Sequence, residues 1–260
     1  MPGSLYRESS TIMKATLARQ MGCQPADYES HEVTAVERPA DSREPHLVLV
    51  TTCGTGSVVS VRDPRLGDWA RANAPKPGRN QQIFLPKFLE GMASEARRLG
   101  HADARSHSSS GGMVLAEERP PRELPEGFRI RELTGAEVEA LRSTLQFDNA
   151  LGEPDETRRI AAHRIAFAAV DPHGTVVAVT GIWDQYPGID ELGLDVLREH
   201  RGAGLAAALT IHAIRWIRSE GRWPIYTHGF TNVRSMNNGL ACGFRPLWFL
   251  SAVFVPEDMH

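Results

Sequence analysis

The stretch from Glu191 to Leu209 holds the residues whose types and spacing could do chemistry. A strand-like run ends in the polar residues Arg198, Glu199 and His200. Arg201, Gly202, Ala203, Gly204, Leu205 and Ala206 then open an alanine-rich helical segment. Glycines let a backbone approach a ligand closely. A helix start leaves several N–H groups without intrahelical acceptors, at the positive end of the helix dipole. Together these make an anion site suited to a diphosphate.

Two phosphate-binding readings fit this turn. Gly202, Gly204 and Ala207 match G-x-G-x-x-A, the dinucleotide fingerprint. That fingerprint needs its first glycine directly after the strand, and here Arg198 to Arg201 intervene. It also needs an acidic residue about 20 positions on, at the end of the next strand. The next strand-like run ends near Phe230, Thr231 and Asn232, without an acid. Too little chain follows to complete a doubly wound sheet, so the dinucleotide reading is set aside.

Arg201, Gly204 and Ala206 resemble instead the R/Q-x-x-G-x-G/A signature of the GCN5-related N-acetyltransferase (GNAT) superfamily. The resemblance continues on both sides. Val196 to Ala206 is similar to the family's strand-to-helix junction. Asn232 to Ser235, then Ala241 to Pro246, is similar to its second motif, and Phe128 to Leu133 to its opening strand. These segments keep the family's order and spacing over residues 128–255. The resemblance implies an α/β fold: a mixed central sheet of the acyl-CoA N-acyltransferase type with flanking helices. It implies acetyl-CoA as cofactor and transfer of its acetyl group, by direct attack, to a primary amine of a small molecule or peptide.

Site roles follow from the same resemblance. Backbone N–H groups of Gly202, Ala203, Gly204, Leu205 and Ala206 would hold the CoA pyrophosphate, with Arg201 heading the loop. Leu194 and Val196 would pair through their backbone with the pantetheine arm, one N–H facing the thioester oxygen as an oxyanion donor. Asn232 and Ser235 would lie beside pantetheine, where the family's fourth and fifth strands splay. Asn232 is also a good helix N-cap, and the two roles are compatible.

Acetyl transfer needs a neutral amine, and a carboxylate can take its proton directly or through water. The family often carries such a base on its fourth strand, where Asp190 and Glu191 stand at the start. Alternation points the two to opposite faces. Glu191 is preferred for its longer reach, with Asp190 the second candidate; Asp195 is expected to make a structural bond. Many family members carry a tyrosine four residues before the glycine of the Gly-Phe pair, where it protonates the departing CoA thiolate. Gly239 stands there in this chain. Ser235, Cys242, Tyr226, His228 or water are left for that task, and a thiol with a reference pKa near about 8.5 needs little help to leave. The same departure supports a second reading, a non-catalytic acyl-CoA-binding sensor or scaffold module.

A regular segment must position these groups. Phe128–Leu133 alternates like a strand, and Thr134 with Glu137 fits a capping box ahead of a helix through Leu145. A short helix is expected over Asp155–Ala162, and strands over Arg164–Val170, Thr175–Trp183, Asp190–Leu197 and Pro224–Phe230. A long helix over Gly204–Ser219 presents Leu205, Leu209, His212 and Trp216 as one stripe. A short helix over Arg234–Cys242 and one or two strands over Phe244–Val255 close the chain. The four tryptophans of this half read as core or rim, and Arg215 and Arg218 as a solvated helix face.

The first half carries no motif tied to chemistry. A helix is expected over Ile12–Met21 after a frayed tail. A hairpin of His46–Thr52 and Ser57–Arg62 turns at Cys53 to Gly56. Asp63 and Pro64 start a helix to Asn73, and another covers Ile83–Leu99. The serines, glycines and prolines of residues 101–127 read as a linker with a short strand at Met113–Ala116. The expected division is a smaller α+β N-terminal domain over 1–120 and an acetyltransferase domain over 121–260. The first half weakly resembles the N-terminal extension of some two-part members of the superfamily, a degenerate copy of the same fold. Its expected jobs are walling the acceptor pocket or a homodimer contact.

Bulk composition agrees. Hydrophobic residues are 41% and charged residues 23% of 260, with a net charge of −3. This is ordinary for a globular protein, and nothing in it favours nucleic acid. Three scattered cysteines make neither a disulfide framework nor a metal site. No apolar run approaches a membrane span, and the N-terminus lacks a signal core. The expected location is the cytoplasm.

Overall fold

The computed structural model describes residues 3–107, 109–152 and 163–256. In chain order the elements are α1 (Ser4–Met21), β1 (Val33–Glu37), β2 (Val48–Thr52), β3 (Ser57–Val61), α2 (Pro64–Asn73), α3 (Pro86–Arg98), β4 (Arg105–Ser106) and β5 (Ser110–Leu115). Then come β6 (Arg129–Glu132), α4 (Gly135–Arg142), α5 (Asp148–Leu151), β7 (His163–Val170), β8 (Val176–Tyr186) and β9 (Ile189–Val196). The last are α6 (Leu205–Ser219), β10 (Trp223–Gly229), α7 (Val233–Ala241) and β11 (Phe244–Phe254). The chain divides into two compact units: 1–9, 113–227 and 232–245 form one, and 10–112, 228–231 and 246–260 the other.

The first unit is a mixed sheet in the order β5-β10-β9-β8-β7-β6. Strands β6 to β9 run antiparallel to their neighbours, and β10 runs parallel to β9. Residues of β7 and β8 are buried on both faces, which is why they read as near-continuous apolar runs. One face packs under α6, whose Leu205, Leu209, Ala213 and Ile217 recur every four residues toward Phe167, Ile182 and Leu192. The opposite face packs under α4 and α5 through Val138, Phe147, Ala150 and Leu151. The Thr134 capping box is complete: Thr134 Oγ1 accepts from the Glu137 N–H, and the Thr134 N–H donates to Glu137 Oε2 at 2.9 Å.

Strand alternation explains one close approach. Gly181 on β8 sits opposite Gly193 on β9. A Cβ on Gly193 would lie 2.0 Å from the Asn149 carbonyl oxygen, and one on Gly181 would lie 1.9 Å from that of Ala150. The paired glycines let the backbone of α5 rest on the sheet. Asp195 locks it there, accepting from Asn149 Nδ2 (2.9 Å) and from the Ala150 N–H (2.8 Å). This is the structural bond expected of Asp195.

The second unit contains the strand order β1-β3-β2-β11, with β4 also on β11. The expected hairpin is β2–β3. Asp63 caps α2 by accepting from the Arg65 N–H at 3.0 Å, with Pro64 next. Valines 48, 50, 59 and 61 pack under α2 and α3 with Leu66, Phe88 and Met92.

Four expectations change. Helix α1 begins at Ser4, not after a frayed tail: the Ser9 hydroxyl donates to the Leu115 carbonyl at 2.7 Å. The expected helix over Ile83–Leu99 is split, because Leu85 precedes a proline and is extended (φ −78°, ψ 149°); a 3-10 turn covers Asn80–Phe84 and α3 starts at Pro86. The Ser/Gly stretch within residues 101–127 is not all linker, since Ser110–Leu115 is a strand buried from Gly111 onward. Its glycines read as flexibility, yet a Cβ on Gly112 would lie 1.8 Å from the Trp248 ring. The helix expected through Leu145 ends at Arg142; one strand, β11, closes the chain, within the one or two expected. The helix expected over Asp155–Ala162 lies outside the described residues. Among the described residues no helix is long and apolar enough to cross a membrane, and no group of three His, Cys, Asp or Glu side chains could hold a metal.

Replacing Gly193 by alanine is expected to lower stability by about 1–3 kcal/mol, the usual cost of overpacking. Thermal denaturation of Gly193→Ala checks this; an unchanged midpoint would mean that α5 does not rest on the sheet.

Candidate functional site

Strands β9 and β10 pair only at Ile189 with Trp223, Asp190 with Pro224 and Glu191 with Ile225. Beyond that rung they share no pairing. The Leu197 N–H donates to the Val177 carbonyl on the β8 side, so strand alternation turns the backbone groups of Leu194 and Val196 toward the β10 side. The backbone groups of Leu194 and Val196 therefore face the side on which β9 and β10 have stopped pairing. One of these groups, the Val196 carbonyl, accepts from Arg201 Nε at 3.0 Å, which ties the loop back to the strand.

The turn into α6 has the geometry of an anion cradle. Gly202 and Gly204 have φ of +88° and +84°, a left-handed region that favours glycine. Gly204 is the N-cap of α6, and no side chain caps it. Among the described residues the N–H groups of Gly202, Gly204, Leu205 and Ala206 make no turn or cap hydrogen bond. Arg201, Gly202 and Ala203 are exposed. Open amides at a helix start fit a diphosphate. The sequence did not reveal Arg122, whose Nε lies 3.8 Å from where a Cβ on Gly204 would be. It sits in the proline-rich stretch before β6, and no local pattern connects that stretch to a loop about 80 residues later in the chain.

The two candidate bases part company. Asp190 points to the α6 side, fully buried at 0% exposure. Arg164 Nη1 donates to its Oδ2 at 2.6 Å, and Arg222 Nε to its Oδ1 at 2.8 Å. Arg222 also pairs with Asp184. A carboxylate enclosed by two guanidinium groups is an anchor for the closed end of the slot, not the base that was the second expectation. Glu191 points to the other face, at the last paired rung, and accepts a hydrogen bond from Thr227 Oγ1. It is half-buried. Across the strand stands Trp183, whose indole N–H is buried without an acceptor among the described residues.

On the α6 side of the slot, Asn232 caps α7 by accepting from the Ser235 N–H at 3.1 Å. The Ser235 hydroxyl lies 3.0 Å from the Tyr226 hydroxyl. Tyr226 is the first β10 residue past the last paired rung, and burial raises its phenol pKa above the ordinary value. Its ring fills the space beside Gly239, where a Cβ would lie 3.2 Å from Tyr226 Cδ1. Cys242 is buried and its thiol is pushed up to about 11 by burial, as for an inert core cysteine. In the second unit, His228 packs on Gly111, with Nδ1 3.0 Å from its neighbour's carbonyl. His212 meets Phe167 edge-on at 4.6 Å, within the expected stripe. Arg218 is not merely solvated: it stacks 4.0 Å over Trp223 and pairs with Glu118.

Residues 130–244 match the family described as the acetyltransferase (GNAT) family. No curated protein matches the chain significantly. Solved structures similar in fold include a GNAT-family structure from Novosphingobium aromaticivorans, 20% identical, covering 58% of this chain and 66% of that one with a TM-score of 0.47. A Drosophila protein is 21% identical, covering 66% of this chain and 58% of that one with a TM-score of 0.50. A GCN5-related N-acetyltransferase from Kribbella flavida is 16% identical over 95% of both chains, with a TM-score of 0.49. The matched region thus spans less than two thirds of the first two structures' length.

Asp190→Asn is expected to destabilise the protein by about 3 kcal/mol, because two guanidinium groups lose their shared buried counter-charge and keep only the more exposed Asp184 and Glu220. Urea denaturation measures this, and a change under about 0.5 kcal/mol, the scale of an ordinary surface substitution, would remove the anchor assignment.

Proposed function

We propose, from the premise that residues 130–244 belong to the acetyltransferase (GNAT) family, that the protein transfers an acetyl group from acetyl-CoA to a primary amine. The observation that carries this reading is the parting of β9 and β10 after Glu191 and Ile225. A slot between two parallel strands, with open amides at its α6 end, suits an extended thioester arm ending in a diphosphate.

The amides of Gly202 to Ala206, with Arg122 beside them, would hold the diphosphate. Leu194 and Val196 would pair with the pantetheine arm, and one of their N–H groups would donate to the thioester oxygen as charge develops there. The amine nitrogen attacks the carbonyl carbon and the C–N bond forms. Glu191 takes the amine proton directly or through water, with Thr227 holding the carboxylate in place. The C–S bond then breaks and its electron pair leaves on sulfur.

Three measurements test this. Calorimetry with CoA is expected to show binding. Gly204→Val, which strains a φ of +84° and fills the cradle, should weaken binding about 100-fold. Unchanged affinity would remove the phosphate-loop assignment. Arg122→Gln should weaken CoA about tenfold while leaving pantetheine unaffected; equal loss for both ligands would show that Arg122 does not act on the phosphates. Over an amine panel, Glu191→Gln should cut amine-dependent thiol release about 100- to 10,000-fold with CoA affinity kept. A fall of less than tenfold would move the base elsewhere, and tight CoA binding without any amine-dependent thiol release from the unaltered protein would favour a sensor.

A further inference from the structure

We infer that the Ser235 hydroxyl, aligned by Tyr226, is the group that stabilises the departing thiolate. This rests on the acetyltransferase reading and deepens it. The basis is a hydrogen-bond chain that leads from Asn238 through Tyr226 to Ser235. The Asn238 side-chain amide donates to Thr210 Oγ1 at 2.9 Å and, longer, to the Tyr226 hydroxyl at 3.5 Å. Its oxygen faces Cys242 Sγ at 3.9 Å. The Tyr226 and Ser235 hydroxyls lie 3.0 Å apart and either can donate; in the arrangement we infer, Tyr226 donates to Ser235 Oγ. The Ser235 proton then has no acceptor among the described residues, and Ser235 is half-buried at the first turns of α7. The chain runs from a buried core to one outward O–H.

Its position matches the need. Tyr226 directly follows the last paired rung of β10, so the chain surfaces where the slot opens, on the α6 side. Glu191 and Thr227 occupy the other side. Gly239 packs closely here: a Cβ on it would lie 2.9 Å from Met113 Sδ and 3.2 Å from Tyr226 Cδ1. Burial raises both the Tyr226 phenol and the Cys242 thiol, so neither loses its proton in the range where a thiol titrates. Hydrogen bonds that polarise one another strengthen along a chain, and one aimed at an anion is stronger than one between neutral groups. In the reaction, the C–S electron pair leaves on sulfur, Ser235 donates its hydrogen bond to that sulfur without surrendering the proton, and water protonates the released thiolate.

The test reads the bound thiol itself and needs no amine. Calorimetry with CoA comes first: absence of binding overturns the acetyltransferase reading and this inference together. With CoA bound, thiolate absorbance is followed against pH for the unaltered protein, Ser235→Ala, Ser235→Thr and Tyr226→Phe. The bound thiol should titrate below its free value in the unaltered protein. Ser235→Ala should raise it by about one unit, the scale of a hydrogen bond to a charge. Ser235→Thr should keep it low, and Tyr226→Phe should raise it by less than Ser235→Ala does. Equal titration in the unaltered protein and Ser235→Ala, with CoA bound to both, overturns this inference alone.

Discussion

Backbone N–H and C=O groups in a sheet interior must find partners, and this protein leaves a row of them unmatched in the middle of one. Strands β9 and β10 share three rungs and then part. Two neighbouring strands would ordinarily continue pairing, so the parting has to be held open from both ends. At the closed end, Asp190 draws Arg164 from β7 and Arg222 from the loop after α6 onto the first rungs. Arg222 reaches on to Asp184 on β8, so three strands and the α6–β10 loop meet at one carboxylate. At the other end, Arg201 ties the turn into α6 to the Val196 carbonyl, so that this group is satisfied without a strand partner. In the proposed function, a pantetheine amide arm would lie there as a short strand.

The anchor also sorts the chemistry by face. Because adjacent strand residues point oppositely, burying Asp190 toward α6 commits Glu191 to the other side. There the close seat of α5 on Gly181 and Gly193 shapes the surface next to Trp183 and Glu191. On the α6 side lie the diphosphate turn and the Ser235–Tyr226 pair. In the proposed reaction, this register would put the amine's proton and the released sulfur on opposite sides of the strand. A one-residue slip of β9 would exchange Asp190 and Glu191 and dismantle both the anchor and the base.

Local signals carried much of this. The glycine turn into α6 was legible because its glycines, its polar lead-in and the helix that follows are contiguous from Val196 to Ala206. The capping box at Thr134, the Asp63–Pro64 helix start and the Asn232 cap were legible for the same reason, since each involves neighbours within four residues. What stayed hidden was non-local. Gly111 and Gly112 spell flexibility until Trp248 and His228 are seen packed on them. Arg122 and Gly204 are far apart in sequence. Asp190 and Glu191 could be assigned to opposite faces by alternation, but which face was enclosed depended on Arg164 and Arg222, and nothing local pairs them with Asp190.

The missing tyrosine at Gly239 raises the question whether the site could turn over, and magnitudes answer it. An aliphatic amine with a pKa of about 10.4 is more than three units above neutral pH, so only about one molecule in a few thousand is neutral. Removing that proton is the larger obstacle. A thiol with a pKa of about 8.5 lies only about 1.5 units above neutrality, so its anion is a competent leaving group whose stabilisation adds a smaller factor. In the proposed reaction, Glu191, held by Thr227, would stand where the larger obstacle lies, and Gly239 would leave only the smaller one without a dedicated acid. A full proton donor at the sulfur is therefore not required for transfer. A single oriented hydroxyl on that side, backed by a buried phenol, is proportionate to what the leaving group still needs.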